Sequence, residues 1–312
     1  MVFKTILLGL LAYFLTLSLN VLKIESQLRV DVQVAEVNQI KIAYKYYKSN
    51  VTGEKTFVLL HGFAGSSTDW EFLVKELRNI GHCLLIDIPP FGLSEKKLGF
   101  DYSDANLIKT ILMLVDKLGV KKFSLIGHSM GGNLAILIAS TVPERIEKLV
   151  LVSAAYLPLE QDDSELMEIL RNGGRSWTAN LDDENLSTIL NLGLKAYPLI
   201  RNVYSNLVPK LDRVRQEHLD KTFVQNIFLP AEVLIKFSKD KIAQEPFEHD
   251  LGKISAQTLI IYGSNDNVTP PAIGEYLSKR IKNSRFELID GEGHLPMFNE
   301  RFVEIVVKFL RD

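Results

Sequence analysis

The chain has 312 residues, 46% of them hydrophobic and 24% charged, with a formal net charge of −2 and one cysteine, Cys83. This length supports a well-buried core in one large domain or two smaller ones. The balanced charge argues against a nucleic acid partner, which requires a concentrated basic face, and the lone cysteine excludes an intrachain disulfide.

The N-terminal residues 1–25 contain an uncharged apolar run from Thr5 to Leu22, with Lys4 before it and Lys23 after it. As a helix this run would span about 27 Å, close to the hydrocarbon thickness of a bilayer. It predicts a single membrane anchor. A cleaved signal peptide, giving a secreted or periplasmic protein, is the second interpretation, although the small residues before a cut are poorly matched. Lysines at both ends leave the orientation open.

The first predicted strand is the stretch QIKIAYKYY, residues 39–47, whose period of two is typical of an antiparallel strand. Four continuous apolar runs follow, and such runs are typical of parallel strands covered on both faces. They are residues 56–62, 82–89, 122–129 and 147–154. Helical patterns separate them, so strand and helix alternate as in an α/β sheet with crossover connections.

This alternation stops after Ala155, where amphipathic helical patterns broken by prolines take over. It then returns with two predicted strands, residues 257–266 and 284–290, and two predicted helices, residues 271–282 and from about Asn299. The sequence therefore predicts an α/β core formed by residues 30–155 and 246–312. A helical cap is inserted into it at residues 156–245.

Ser129 stands in the stretch SLIGHSMGGNLA, where an apolar strand runs through Gly-His-Ser-Met-Gly directly into a helical pattern. A Gly-x-Ser-x-Gly motif at such a junction predicts a sharp turn that presents the serine hydroxyl. Gly127 and Gly131 remove Cβ atoms that would clash across the bend, and Gly132 lets the helix pack closely. The helix N-terminus behind Ser129 favours negative charge. These features predict a nucleophilic serine.

From about Val37 to its end, the chain also resembles the α/β-hydrolase family in four other stretches. They are HGF (61–63), DIPPFGLS (87–94), GSNDNVTP (263–270) and GEGHLP (291–296). These look like the family's oxyanion loop, its Asp-x-Pro-Gly-x-Gly-x-Ser loop, its acid loop and its histidine loop. Pro90 stands where glycine is usual, which stiffens that loop. The resemblance implies an α/β-hydrolase fold, a mostly parallel sheet with helices on both faces and a cap over the site.

A serine hydroxyl is a weak nucleophile at neutral pH and needs a base within hydrogen-bonding reach. His294, on a glycine-flanked loop after the last predicted strand, is the predicted base. Asp266, after the strand TLIIYG, is the predicted acid that orients it. The strand after the elbow helix ends in LVSAAYLP without a carboxylate, and Asp290 and Glu292 are expected to be solvated. The chain order Ser129, Asp266, His294 is the order that this fold uses.

The resemblance further implies an oxyanion hole formed by two backbone N–H groups. These belong to Met130, at the start of the helix, and to Phe63, which follows His61 and Gly62. His61 and His128 lie inside these motifs and are expected to orient local structure. No two histidines have metal-ligand spacing, so neither a metal nor a cofactor is expected.

These residues predict a serine hydrolase that cleaves carboxylic esters through an acyl-enzyme. The cap carries no basic cluster, so an uncharged, partly apolar ester fits best. With the predicted anchor, a lipophilic ester such as a monoacylglycerol is favoured, since the anchored monoacylglycerol lipases of this family have a similar layout. Two alternatives stay open: a hydrolase that cleaves a carbon–carbon bond in ring-fission products, and a small-molecule receptor that retains the triad. No obligate protein partner is inferred.

Overall fold

A computed structural model describes residues 19–51, 55–156, 197–209, 211–243 and 250–312 of the chain. Most of the apolar N-terminal run, residues 5–18, lies outside these ranges. So do residues 157–196 of the predicted cap. Most of the predicted anchor and this part of the predicted cap therefore lie outside the described residues.

The described residues contain an eight-stranded sheet. Its strands are β1 Val32–Val37, β2 Ile40–Tyr47, β3 Thr56–Leu60, β4 His82–Ile86, β5 Phe123–His128, β6 Ile146–Val152, β7 Gln257–Gly263 and β8 Ser284–Ile289. They lie in the order β1-β2-β4-β3-β5-β6-β7-β8. β2 pairs antiparallel with both β1 and β4, and all other neighbours are parallel. The predicted, mostly parallel α/β sheet is confirmed.

The helices with described bounds follow the predicted order. They are α1 Glu71–Leu77, α2 Asp104–Lys117, α3 Met130–Thr141, α4 Tyr197–Leu207, α5 Gln216–Ile227, α6 Ala231–Ala243, α7 Pro271–Arg280 and α8 Glu300–Arg311. Helices α2, α3 and α7 cover one face of the sheet, and α1 and α8 cover the other.

Strand side chains alternate between the two hydrophobic clusters on either side of the sheet. In β3, Val58 and Leu60 join the cluster under α2 and α3, whereas Phe57 and Leu59 join the cluster under α1 and α8. All four are fully buried. Because both faces are covered, these strands are continuous apolar runs, which is why the sequence located them.

Strand β1 was absent from the sequence prediction, which began the alternation near Val37. Its sequence, VQVAEV, lies at the edge of the sheet and pairs with β2 alone. Ala35 and Val37 are buried, but Val34 on the same strand is 59% exposed. Apolar residues therefore point to solvent as well as to the core, and the period of two is blurred.

Three described helices of the insertion, α4, α5 and α6, lie against loops of the core. The carbonyl of Leu207, at the end of α4, lies 2.5 Å from a Cβ built on Gly293 in the loop after β8. The side-chain amide of Asn226 in α5 donates to the Ala64 carbonyl at 3.2 Å. Ser66 donates its hydroxyl hydrogen to Gln225 at 2.9 Å. In α6, Lys241 forms a partly buried ion pair with Asp104 at the start of α2. The described part of the insertion thus covers the loop after β3 and the start of α2.

Residues 19–28 are helical and rest on the core. Leu28 is fully buried, and Val21 and Ile24 pack partly buried against the cluster under α1 and α8. Leu19 and Leu22, on the same helix, are more than half exposed. Within the part of the chain that the structure describes, we find no helix with the length and apolarity needed to cross a membrane.

Asp69 is a buried carboxyl group at the junction between core and insertion. Its Oδ2 accepts the Ser66 N–H at 3.3 Å, and its Oδ1 lies 3.5 Å from His218 Nε2 of α5. Burial raises the pKa of Asp69 to about 7, and the nearby carboxylates of Asp87 and Glu71 add to the rise. Burial also lowers the pKa of His218 to about 4. With His218 neutral at pH 7, this long contact is not an ion pair.

The raised pKa of Asp69 predicts that the effect of Asp69→Asn on the melting temperature depends on pH. A group whose pKa is higher in the folded than in the unfolded state stabilises the fold at low pH. That contribution is lost as the pH rises from about 4 to about 7. Asparagine keeps an acceptor oxygen for Ser66 and never ionises. We expect the melting temperature of Asp69→Asn, relative to wild type, to be higher at about pH 8 than at about pH 5.

Thermal unfolding followed by circular dichroism at both pH values measures this difference. Asp212→Asn changes an exposed aspartate on the insertion and is the matched control. An Asp69→Asn difference that is the same at both pH values would contradict the prediction.

Candidate active site

Ser129 occupies a strained position between β5 and α3. Its backbone has φ 50° and ψ −116°, in the left-handed half of the Ramachandran plot, where non-glycine residues are rare. Its N–H donates to the Val152 carbonyl at 2.9 Å, and its carbonyl accepts the N–H groups of Asn133 at 3.1 Å and Ala155 at 2.9 Å. The strand-to-helix turn that the sequence predicted is thus present and held from both sides.

The glycines around Ser129 are required by close backbone approaches. A Cβ on Gly127 would overlap the Gly131 carbonyl across the bend, and one on Gly132 would lie 2.7 Å from the Ala154 Cβ. Both predicted roles are confirmed. A Cβ on Gly131 would also crowd the Leu60 and His61 carbonyls, so the start of α3 lies directly against the end of β3.

The loops after β5, β7 and β8 bring Ser129, Asp266 and His294 together. His294 Nε2 lies 3.0 Å from Ser129 Oγ. On the other side of the ring, His294 Nδ1 lies 3.0 Å from Asp266 Oδ2 and 3.2 Å from Oδ1. All three residues are buried. This is the geometry in which a serine hydroxyl can pass its proton to an imidazole that a carboxylate orients.

Asp266 is kept ionised by its neighbours. Burial alone would raise the pKa of its carboxyl, but the hydrogen bond and charge of His294 outweigh this, so the pKa lies below its ordinary value. The backbone N–H groups of Val268 and Thr269 both donate to Oδ1 at 2.9 Å. A negative carboxylate at this place favours a proton on His294 Nδ1, which leaves Nε2 free to accept from the serine.

Two further histidines support the loops, as the sequence predicted. His128 Nε2 donates to the His294 carbonyl at 2.9 Å. Burial and the neighbouring His294 lower the pKa of His128 to about 3, so it is neutral at pH 7. His61 Nε2 accepts the Ile88 N–H at 2.8 Å, and its Nδ1 donates to the Gly62 carbonyl at 2.7 Å. His61 therefore ties the loop after β3 to the loop after β4.

The predicted oxyanion residues flank Ser129. Met130 is the first residue of α3. A Cβ built on Gly62 would lie 3.2 Å from the Ser129 Cβ, so the backbone leading into Phe63 passes beside the serine. The Phe63 ring is half exposed and packs edge-on against Phe91, with ring centroids 5.2 Å apart. It also contacts Phe237 of α6, with centroids 6.0 Å apart.

Glu292 differs from the sequence prediction. It was expected to be solvated, but it is only 3% exposed and forms an ion pair with Arg213 from the insertion. Its Oε1 also accepts from the Asn299 side chain at 2.8 Å. Asp290, expected to be solvated as well, is exposed. A loop position does not reveal that an inserted segment will cover it, and this is why Glu292 was misjudged.

Thr269 was overlooked by the sequence analysis. Its hydroxyl oxygen lies 2.9 Å from Asp266 Oδ2 and 3.1 Å from His294 Nδ1. Asp266 to Thr269 form an Asx turn, in which the N–H groups two and three residues after the aspartate donate to its carboxylate. The contacts of the Thr269 hydroxyl with His294 and Ser153 join residues that are distant in the chain, so no local pattern marks them. Among the residues that the structure describes, no group of three or more His, Cys, Asp or Glu side chains is placed to hold a metal ion.

The sequence profile described as "alpha/beta hydrolase fold" matches residues 55–300. The chain therefore belongs to the α/β-hydrolase fold family and is a hydrolase, which confirms the expected family and fold.

Individual relatives divide between two chemistries. The chain is 28% identical to the monoacylglycerol lipase ABHD6 of Rattus norvegicus over 292 residues, covering 90% of this chain and 83% of that protein. It is 29% identical to 2-hydroxy-6-oxononadienedioate/2-hydroxy-6-oxononatrienedioate hydrolase 1 of Pseudomonas putida over 279 residues, covering 85% and 91%. Among solved structures, a bacterial membrane phospholipase A superposes with a TM-score of 0.75 at 22% identity, covering 98% of both chains. That last likeness shows the shared fold.

The crowded turn makes a stability prediction for Gly127→Ala. Its methyl group must displace the backbone of Gly131, and overpacking of this kind costs about 1–3 kcal/mol of unfolding free energy. Gly99 is an exposed glycine with no atom within 4 Å of a built Cβ, so Gly99→Ala is the matched control. Urea denaturation of both variants measures the cost. Equal stability of the two would mean that the turn is less constrained than its geometry indicates.

Proposed function

We propose that the protein is a serine hydrolase that cleaves carboxylic esters through an acyl-enzyme. The observation that carries this proposal is the chain of contacts from Ser129 Oγ through the His294 imidazole to the Asp266 carboxylate. His294 Nε2 takes the hydroxyl proton as Ser129 Oγ bonds to the ester carbonyl carbon. The same nitrogen then gives the proton to the departing alcohol oxygen, which leaves the acyl group on the serine.

Asp266 contributes by holding its negative charge beside Nδ1. When His294 becomes imidazolium, the carboxylate 3.0 Å away stabilises the new positive charge without taking the proton. Deacylation repeats the sequence with water: His294 removes a water proton, the hydroxyl oxygen bonds to the acyl carbon, and Ser129 Oγ leaves with the proton. The products are a carboxylic acid and the regenerated enzyme.

The tetrahedral intermediate places a negative charge on the former carbonyl oxygen. The N–H groups of Met130 and Phe63 are the proposed donors to this oxyanion. Met130 also lies at the N-terminus of a helix of 12 residues, where the partial positive charge of the helix dipole favours an anion. Both donors belong to the backbone, so the Phe63 side chain is free to shape the substrate pocket.

For the substrate, we favour a lipophilic ester such as a monoacylglycerol. The half-exposed Phe63 ring belongs to the loop that passes beside Ser129 and rests on the buried rings of Phe91 and Phe237, a surface that suits an acyl chain more than a charged group. The similarity to a monoacylglycerol lipase and the apolar run of residues 5–22 point the same way. In this view the N-terminal run anchors the enzyme beside the membrane that supplies its substrate.

A second candidate is carbon–carbon bond hydrolysis of a ring-fission product, because the Pseudomonas putida relative is named for that reaction. Such substrates are dicarboxylates, and the Lys241 ammonium that lies over the Phe237 ring is already paired with Asp104. We therefore rank ester hydrolysis first.

Assays with p-nitrophenyl esters from acetate to palmitate test the proposal. We expect turnover that is greatest at medium or long chains, and Ser129→Ala should lower kcat by at least about 10⁴-fold. A fluorophosphonate should label wild type once, on Ser129, as measured by mass spectrometry of the intact protein. Folded wild type that hydrolyses none of these esters but consumes a 2-hydroxy-6-oxodienoate would favour the second candidate. Ligand binding without turnover of either substrate would favour a receptor.

Flotation with phosphatidylcholine vesicles tests the proposed anchor separately. The full chain should float with the vesicles, whereas a variant lacking residues 1–18, which retains the described helical residues 19–28, should stay in the dense fraction. This follows because an apolar helix of about 20 residues inserts almost irreversibly. Equal behaviour of both proteins would remove the anchor from the proposal and leave the ester chemistry untouched.

A further inference from the structure

Thr269 lies behind the candidate triad, on the side away from Ser129. It is 5% exposed and belongs to the loop between β7 and α7. Its hydroxyl oxygen lies 2.9 Å from Asp266 Oδ2, 3.1 Å from His294 Nδ1 and 3.1 Å from the Ser153 carbonyl oxygen. One hydroxyl group therefore contacts the acid, the base and the end of β6.

The hydroxyl carries one hydrogen, which limits what it can do at a given moment. It can donate to Asp266 Oδ2 or to the Ser153 carbonyl, and both are acceptors only. When the hydrogen points to Ser153, the oxygen lone pairs face the Nδ1–H of His294 and can accept from it. When the hydrogen points to Asp266, the hydroxyl donates to Oδ2, the carboxylate oxygen that lies closest to His294 Nδ1.

The other donors to Asp266 act elsewhere. The N–H groups of Val268 and Thr269 both meet Oδ1, and valine or serine at position 269 would keep both donors. Oδ2 receives the Thr269 hydroxyl and the imidazole, and the Ser153 side chain also favours the ionised carboxylate. Rotation of the carboxylate about its Cβ–Cγ bond, which aims Oδ2 at the imidazole, is limited by the Thr269 hydroxyl, which also contacts the Ser153 carbonyl.

We propose that Thr269 is a positioning residue for the triad, whose hydroxyl fixes the Asp266 carboxylate and the Nδ1 side of His294 relative to β6. The proposal rests on the proposed ester hydrolysis at the same site. A residue that served only to fill space at this point would be replaced without loss by valine, which has the same shape. A positioning hydroxyl would not.

The experiment compares Thr269→Val with Thr269→Ser, each alone and in an Asp266→Asn background. Thr269→Val should lower kcat on p-nitrophenyl butyrate about tenfold and leave KM within about twofold, the effect of losing one hydrogen bond to a charged group. Thr269→Ser restores the hydroxyl and should retain most of the wild-type kcat. If Thr269 acts through the carboxylate, Thr269→Val should cost less than about twofold once Asp266 is asparagine.

A spectroscopic measurement keeps this test independent of turnover. The proton shared between His294 Nδ1 and Asp266 should give a low-field proton resonance, which Thr269→Val should shift and Thr269→Ser should preserve. Thermal unfolding of each variant identifies any that fails to fold, and Thr269→Ala, which also lacks the hydroxyl, replaces Thr269→Val in that case.

Three results would overturn the proposal. The first is that Thr269→Val keeps the wild-type kcat and an unchanged resonance. The second is that Thr269→Ser loses as much kcat as Thr269→Val. The third is that Thr269→Val still lowers kcat tenfold in the Asp266→Asn background. If the wild type hydrolyses no ester but the variants show the expected resonance changes, the proposed reaction is rejected and the positioning role is kept.

Discussion

The left-handed backbone of Ser129 is the constraint on which the rest of the site depends. A non-glycine residue held there costs on the order of 1–3 kcal/mol, so the surroundings must enforce it. Three backbone hydrogen bonds do so, to Val152, Ala155 and Asn133, and two of these partners belong to β6 or the residues just after it. The tight turn that lifts the hydroxyl toward His294 also forces glycine at position 127, because any Cβ there would meet the Gly131 carbonyl.

Strand β6 contributes no side chain to the proposed chemistry, yet its carboxyl end holds the turn at Ser129 and the loop that carries Asp266. It lies between β5, which leads to Ser129, and β7, which leads to Asp266. Its Val152 carbonyl holds the serine N–H, and the next residue, Ser153, gives its carbonyl to Thr269. The serine and the acid are therefore fixed to one common strand end. Their separation is set by the spacing of neighbouring parallel strands, about 4.8 Å each, more than by the loops that carry them.

Much of this arrangement could be predicted from the sequence, for physical reasons that differ from residue to residue. Buried parallel strands are continuous apolar runs, and Ser129 and Asp266 each follow one of them, whereas His294 follows the half-exposed edge strand β8. All three strands are parallel, so the topology brings the three residues to one edge of the sheet. Edge strand β1 escaped prediction because its apolar residues point both inward and outward. Glu292 and Thr269 escaped because their partners, Arg213 and Ser153, are distant in the chain. Contacts of that kind have no local pattern.

The insertion is tied to the same loops that carry the site. Arg213 pairs with Glu292, two residues before His294, and Asn226 holds the Ala64 carbonyl, one residue after Phe63. Movement of the described insertion helices would pull on the histidine loop and on the oxyanion loop together. Helix α5 also shares its hydrophobic cluster with the helical residues 19–28, which include the last four residues of the apolar N-terminal run. Residues 19–28 are thus joined by packing to a helix whose Asn226 side chain holds the loop that passes beside Ser129.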